Sequence, residues 1–437
     1  MTQTLRCVVL LLLWLVAAPS RGQGHASFVT ADIDRFWQAY DRIVTTKDSA
    51  QQYAYLNTLF LQPGSPGLQA LRQARTYTAQ SYVEAINRYP RFWQSVRPNT
   101  ARAPALARKA AAQVRHLRRL YPDLRMATTY FTMGAFRTGG TAAGNMVLLG
   151  SELALADATT NTTEFGPDLA PLKAHIAAKT EADVLFTVVH EYVHTQQKTT
   201  LGNTLLAQCV LEGVAEFVAV TATGHRSTLP ALAYGAANAA KVKQRFGAHL
   251  LNPSPGFWLY SNEPNEFDTR DLGYYVGYAL CQGYYERAGD KKGAIKTMIE
   301  LDYNDEAALL AFVDQAGYFS QASAQLKAGF GAGRPRVLGF TRGAGPAAVT
   351  PGRSTITLTF SSPMDPQYRN FELGPLGVDH LLRVQRFLGF SADGTTATVE
   401  VVVQPNRHYQ LLVGDGFRSR DGRSLQPFLI DFTSAAN

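Results

Sequence analysis

The sequence predicts an α+β protein: a mostly helical body holding a small β-sheet, followed by an all-β tail. Three observations carry this. Apolar residues recur at three- and four-residue spacing up to about Leu326, strand-like runs interrupt them once in the middle, and beyond Arg336 only short β-rich runs remain. The chain has 437 residues, 17% charged and 46% hydrophobic, enough for two or three domains with a sizeable core and too apolar for disorder.

The elements follow in order. "MTQTLRCVVLLLLWLVAAPSRGQG" sets Arg6 before an apolar run from Val8 to Ala18, with small and turn-forming residues behind it. This is the pattern of a secretory signal peptide, too short to span a bilayer. Residues 1–24 are therefore expected to be removed and the mature protein secreted, to the periplasm, the cell surface or the medium. Cys7 precedes the apolar run and is badly placed for a lipid anchor. No later segment reads as long and apolar enough to be transmembrane. Cys209 and Cys281 remain after export, and their spacing leaves a disulfide and two buried free thiols equally open.

Helical spacing runs from about Phe28 to Tyr121, as in "ADIDRFWQAYDRI" and "ARKAAAQVRHLRRLY". "ATTYFTMGAF" (Ala127–Phe136) and "NMVLLGSELAL" (Asn145–Leu155) then read as strands split by the glycine-rich "RTGGTAAG". Helical patterns resume at Ala182, completing a body of residues 25–330. The net charge is +8, but the basic residues are scattered. "VRHLRRL" reads as a solvated helix face and no nucleic-acid motif appears, so nucleic acid is not an expected partner. In residues 336–437 the runs "STITLTF", "TATVEVVV", "HYQLLVG" and "FLIDFT" are separated by turn residues such as Asp393-Gly394. A small β-sandwich of about 100 residues fits them. The oligomeric state leaves no mark on the sequence.

The chemistry concentrates in "VVHEYVHTQQ" (Val188–Gln197), which holds two of the chain's nine histidines. Thr180 and Asp183 form a near capping box, and Leu185, Val188, Val189 and Tyr192 make an apolar stripe. On that helix His190 and His194 lie one turn apart and can share a metal ion, while Glu191 points to the flank and can reach a metal-bound water. A catalytic zinc needs a third protein ligand. A Gly-x-x-His extension would supply it, but those positions are Gln197 and Thr200. "LLAQCVLEGVAEFVAV" (Leu205–Val220) offers Glu212 and Glu216 instead, costly to bury in so apolar a run without a cation or donors. The residues alone leave both open as the ligand.

Here the sequence resembles the gluzincins, zinc peptidases with two histidines and a glutamate. "LEGVAEF" is similar to the "NEGFA" segment of the membrane aminopeptidases, which implies Glu212 as the zinc ligand and Glu216 as the acid that orients a ligand histidine. The spacing is one or two residues shorter than in those families. A closer resemblance is to a bacterial family of zinc-dependent proteases with "HEYxH", "EGxAEF" and "GYxxGY", the last present as "LGYYVGY" (Leu272–Tyr278). It covers about Thr128 to Ala288 and implies a zincin-like catalytic domain. "FSSPMD" in the tail resembles the opening strand of bacterial immunoglobulin-like domains.

The resemblance implies a secreted zinc metallopeptidase acting on a peptide or protein substrate. His190, His194 and Glu212 would hold Zn2+, and Glu191 would serve as the base. Tyr274 and Tyr278 stand as candidates to stabilise the oxyanion, or as core aromatics. Asn145–Leu155 is the candidate edge strand over the cleft, and the loop Asn252–Asp271 could rim it. His175, His225 and His249 match no motif and read as ordinary surface or core residues. All candidate active residues precede the tail, so hydrolysis is expected to survive its removal. The rival reading is a zinc-holding or metal-free surface binding protein, against which the intact Glu191 argues.

Overall fold

The chain enters its helical body through a strand. In the computed structural model, which describes residues 27–342 and 351–436, Ser27–Val29 (β1) pairs in parallel with Thr128–Thr132 (β2). The expected leader and Cys7 lie outside the described residues. Between these strands run helices Ala31–Ile43 (α1), Ser49–Leu56 (α2), Pro66–Arg75 (α3), Ala79–Arg88 (α4), Pro90–Thr100 (α5) and Ala103–Leu120 (α6). Local chemistry marks their starts. Asp48 accepts the Ala50 amide at 2.8 Å, Ser65 accepts that of Leu68, and prolines open α3 and α5. Such caps contribute about 1 kcal/mol each.

The sheet has the order β1-β2-β4-β3, where β3 is Thr141–Ala143 and β4 is Met146–Gly150. This corrects the expectation for Asn145–Leu155. Only its first half is a strand, and that strand is interior, parallel to β2 and antiparallel to β3. The edges are β1 and β3, the latter inside the glycine-rich segment. The run stops at Gly150 because Ser151–Ala154 (α7) turns, burying Glu152 completely. Its carboxylate accepts the Gly134 amide at 2.7 Å and the Phe136 amide at 3.2 Å. Glu152 thus shapes the loop leading into β3. Burial raises its carboxyl to about 7, even against those two amides.

Helices Ala170–Ala178 (α8), Glu181–His194 (α9), Leu205–Thr223 (α10), Pro230–Ala237 (α11), Ala239–Gly247 (α12), Leu272–Arg287 (α13), Lys291–Glu300 (α14), Glu306–Ala316 (α15) and Ser323–Gly333 (α16) complete the body. α10 is long and apolar enough to cross a membrane by length and composition, contrary to the sequence expectation. Yet 89% of its apolar window lies inside the protein, where α9 and α13 flank it. A Cβ on Gly213 would come within 2.1 Å of the Gly277 backbone, and one on Gly277 within 1.8 Å of the Cys209 carbonyl oxygen. "EGVAEF" and "LGYYVGY" are therefore the two sides of one close helix crossing. Cys209 and Cys281 are free and buried.

The tail packs a second core between two sheets. One has the order β5-β6-β9-β8: Val337–Arg342, Gly352–Phe360, Thr396–Val403 and Val384–Phe390. The other, β11-β10-β7, is Phe428–Thr433, His408–Val413 and Phe371–Glu372. Ile356, Leu358 and Val399 of one sheet meet Leu411, Ile430 and Phe432 of the other. In β9 buried and half-exposed residues alternate, as a one-face strand requires. The tail also grips the body. His249 Nε2 and Arg245 reach the Asp421 carbonyl, Asn252 bonds Gly422 O and the Ser424 amide, and Tyr368 donates to Glu263.

Candidate metal centre

α9 starts where Asp183 accepts both the amide and the hydroxyl of Thr180 at 2.7 Å. Three turns later His190 and His194 project from one face, as i, i+4 residues must. Their Nε2 atoms are 3.1 Å apart. Glu212 Oε2, from α10, lies 3.6 Å from one and 3.4 Å from the other. A tetrahedral ion with bonds of about 2.05 Å needs donors about 3.3 Å apart, so this triangle is one face of such a site. The three residues form a group able to hold a metal ion.

The outer atoms decide which lone pairs point inward. Gln197 donates its amide nitrogen to Leu211 O at 2.8 Å and to Tyr303 at 3.0 Å, so its oxygen faces His194 Nδ1 at 2.7 Å. His194 Nδ1 must donate, which leaves Nε2 as a bare acceptor. His190 Nδ1 stands 2.9 Å from Glu216 Oε2, near enough for the carboxylate to favour a proton on Nδ1 although the angle is not that of a hydrogen bond. Two lone pairs and a carboxylate oxygen thus converge in a nearly buried space, an arrangement that asks for a cation. Protons compete for it. Burial pushes His190 down, but Glu212 and Glu216 outweigh it and hold the imidazole well above its ordinary value. His194 is raised in the same way by Glu212, and the two imidazoles hold the Glu212 carboxyl well below its ordinary value against burial.

Geometry divides the two glutamates of α10. Glu212 faces both Nε2 atoms, whereas Glu216, 2% exposed, faces the far side of His190. Glu212 Oε1 accepts from Tyr260 at 2.6 Å, and Tyr260 in turn accepts from Gln208 at 3.0 Å. Tyr260 sits at φ +62, held there by its amide bond to Asp271 at 2.7 Å. Glu191 lies beside the group, and burial raises its carboxyl against the pull of the two imidazoles. A Cβ on Gly140 would stand 3.2 Å from the Glu191 side chain, so this glycine lets the chain entering β3 press on α9.

A cleft of about 250 Å³ opens here, lined by His190, Glu191, Glu216, Tyr260 and Tyr274. Burial and the Glu212 carboxylate hold the Tyr274 phenol well above its ordinary value, so it stays protonated and can donate. Tyr278, one turn on, does not line this cleft and sets its ring against Phe217 at 5.5 Å. Gln197 and Tyr260 were missed by motif reading. Gln197 carried a signal, since it stands three residues after His194, within helical reach. Tyr260 belongs to no motif, but it lies in the loop Asn252–Asp271 read as rimming the cleft, which Tyr260, Arg270 and Asp271 do line.

No family model matches the chain, and no curated protein does. Among solved structures, the S-layer protein rSbsC, residues 31–844, is matched at 15% identity and a TM-score of 0.18. The match covers 65% of this chain and 44% of that one, so the chain spans less than half its length. A likeness this low supports no inference about fold or function.

Proposed function

We propose that the protein is a secreted zinc metallopeptidase of gluzincin type, with a zincin-like body and an immunoglobulin-like tail. The observation that carries this reading is the triangle of His190 Nε2, His194 Nε2 and Glu212 Oε2, with Glu191 beside it at the cleft. Zinc held by these residues would supply a polarised water and a Lewis-acid site for a carbonyl oxygen.

The chain's own residues do the rest. Glu191 takes the proton of the attacking water and passes it to the leaving amine, a role favoured by its raised carboxyl. Tyr274 donates toward the oxygen that gains charge as the carbonyl is attacked. β3, the edge strand next to Gly140 and Glu191, accepts the substrate backbone by strand addition. Glu216, Gln197 and Tyr260 keep the ligands oriented.

The test is metal content together with cleavage of a mixed peptide library, with and without chelator. About one zinc per chain and chelator-sensitive cleavage are expected. Bound zinc without cleavage of any peptide would favour the surface binding protein instead.

A further inference from the structure

The cleft at the metal group continues into a cavity of about 500 Å³ walled by α8, the start of α11 and the segment before α13. His175, Lys179, Asp183, Leu229, Arg270 and Asp271 line both spaces. A peptide lying against Glu191 can therefore send a side chain, or its own end, into this cavity.

The shared acids are engaged. Asp183 accepts twice from Thr180 and lies 2.9 Å from His225. Asp271 accepts the Tyr260 amide. Asp268 lines the cavity but not the metal cleft, and is exposed. The bases are less engaged. Lys179 donates one bond, to Leu153 O at 2.8 Å, and an ammonium has three to give. Arg270 reaches only the neighbouring Asp271, at 3.5 Å, and forms no hydrogen bond among the described residues. Burial and the Lys179 charge hold His175 below its ordinary value, leaving a neutral ring on the same wall. Half-buried Leu229 and the exposed Ala174, Ala178 and Pro230 complete the lining, and Arg270 is itself exposed, so the pocket opens to solvent.

We propose that this cavity is a specificity pocket for a carboxylate of the peptide substrate, held by Arg270 and Lys179. The proposal rests on the peptidase reading of the adjoining cleft. The carboxylate belongs either to an Asp or Glu side chain or to the peptide's C-terminus. Both present the same two oxygens to the pocket.

The experiment uses the full chain carrying Glu191→Gln, loaded with zinc, so that binding is measured without turnover. Calorimetry compares peptides in pairs: internal Glu against Gln, both with an amidated C-terminus, then a free against an amidated C-terminus in the Gln peptide. In at least one pair the carboxylate peptide should bind about tenfold tighter or more. Arg270→Gln should remove that difference while zinc content and binding of the amide peptide stay the same. Lys179→Gln is the second variant. The proposal is overturned if neither carboxylate is preferred, if no peptide binds, or if the preference survives both substitutions. Cleavage by the unsubstituted chain is scored separately. A carboxylate preference without any cleavage keeps the pocket and removes the peptidase reading; cleavage without preference does the reverse.

Discussion

Glu212 of α10 and Glu400 of β9 both stand in apolar runs and are buried almost equally, with 10% and 13% of their side chains exposed. Their partners differ. Glu400 lies 2.8 Å from Arg353 and 3.9 Å from Arg386, both largely in solvent, so its charge is answered within the chain. Glu212 faces two imidazole nitrogens and no arginine or lysine among the described residues, so only their protonation or a bound cation can answer its charge. Burial alone therefore does not mark a site. An unanswered demand for positive charge does.

The comparison can be broken or sharpened, starting with the largest effect. Glu191, a third carboxylate, half-buried at the cleft, should matter to turnover and not to metal. Glu191→Gln is expected to lower peptide hydrolysis by about 10²–10⁴-fold while metal content after dialysis stays at the level of the unsubstituted protein. Retained turnover would remove the base from the mechanism. Next, Glu212→Gln should weaken metal binding about a thousandfold, since breaking a buried charged set costs about 3–5 kcal/mol. Glu400→Gln should change unfolding free energy by no more than about 1 kcal/mol, with metal affinity unaltered. Competition against a chromophoric chelator and denaturant titration measure the two. Similar losses of metal from both variants would end the distinction.

Smaller effects are expected from residues that orient the ligands. Gln197→Met, Glu216→Gln and Tyr260→Phe should each cost about 10- to 100-fold in metal affinity. Zinc lost in Glu216→Gln but kept in Glu212→Gln would exchange the two roles. The tail enters at this level. The sequence places no candidate active residue in it, so its removal looked harmless to hydrolysis. In the structure Asp421, Gly422 and Ser424 hold His249 and Asn252, at the head of the loop that carries Tyr260. Deleting residues 336–437 is expected to free that loop and cost about tenfold in metal affinity.

The gentlest test uses pH. His249 donates to Asp421 O through Nε2 and accepts from Trp258 through Nδ1, 3.1 Å away. Burial and the Arg245 charge lower it from 6.5 to about 4. Between these values the unfolded chain binds a proton that the folded one refuses, so stability falls as pH drops. The contribution is complete above about pH 6.5 and is lost toward pH 4, on the order of 2–3 kcal/mol. A melting-temperature series should show this slope, and His249→Gln should flatten it. An unchanged slope in the variant would place the titrating group elsewhere.

What was legible in the sequence depended on short-range geometry. A helix puts residues four apart on one face, so His190 and His194 could be paired before any fold was known. Glu212 and Glu216 stood out because α10 is otherwise so apolar, and the tail strands β6, β9, β10 and β11 followed from alternation and turns. Tertiary packing decided the rest. It set Glu212 rather than Glu216 against the Nε2 atoms and brought Tyr260 to Glu212 across 48 residues. It also made β3 an edge of the sheet and docked the tail on Asn252. The physical reason is one of range. Backbone dihedrals fix neighbours within about four residues, whereas contacts across tens of residues arise only where close approaches such as Gly213 against Gly277 let whole helices meet.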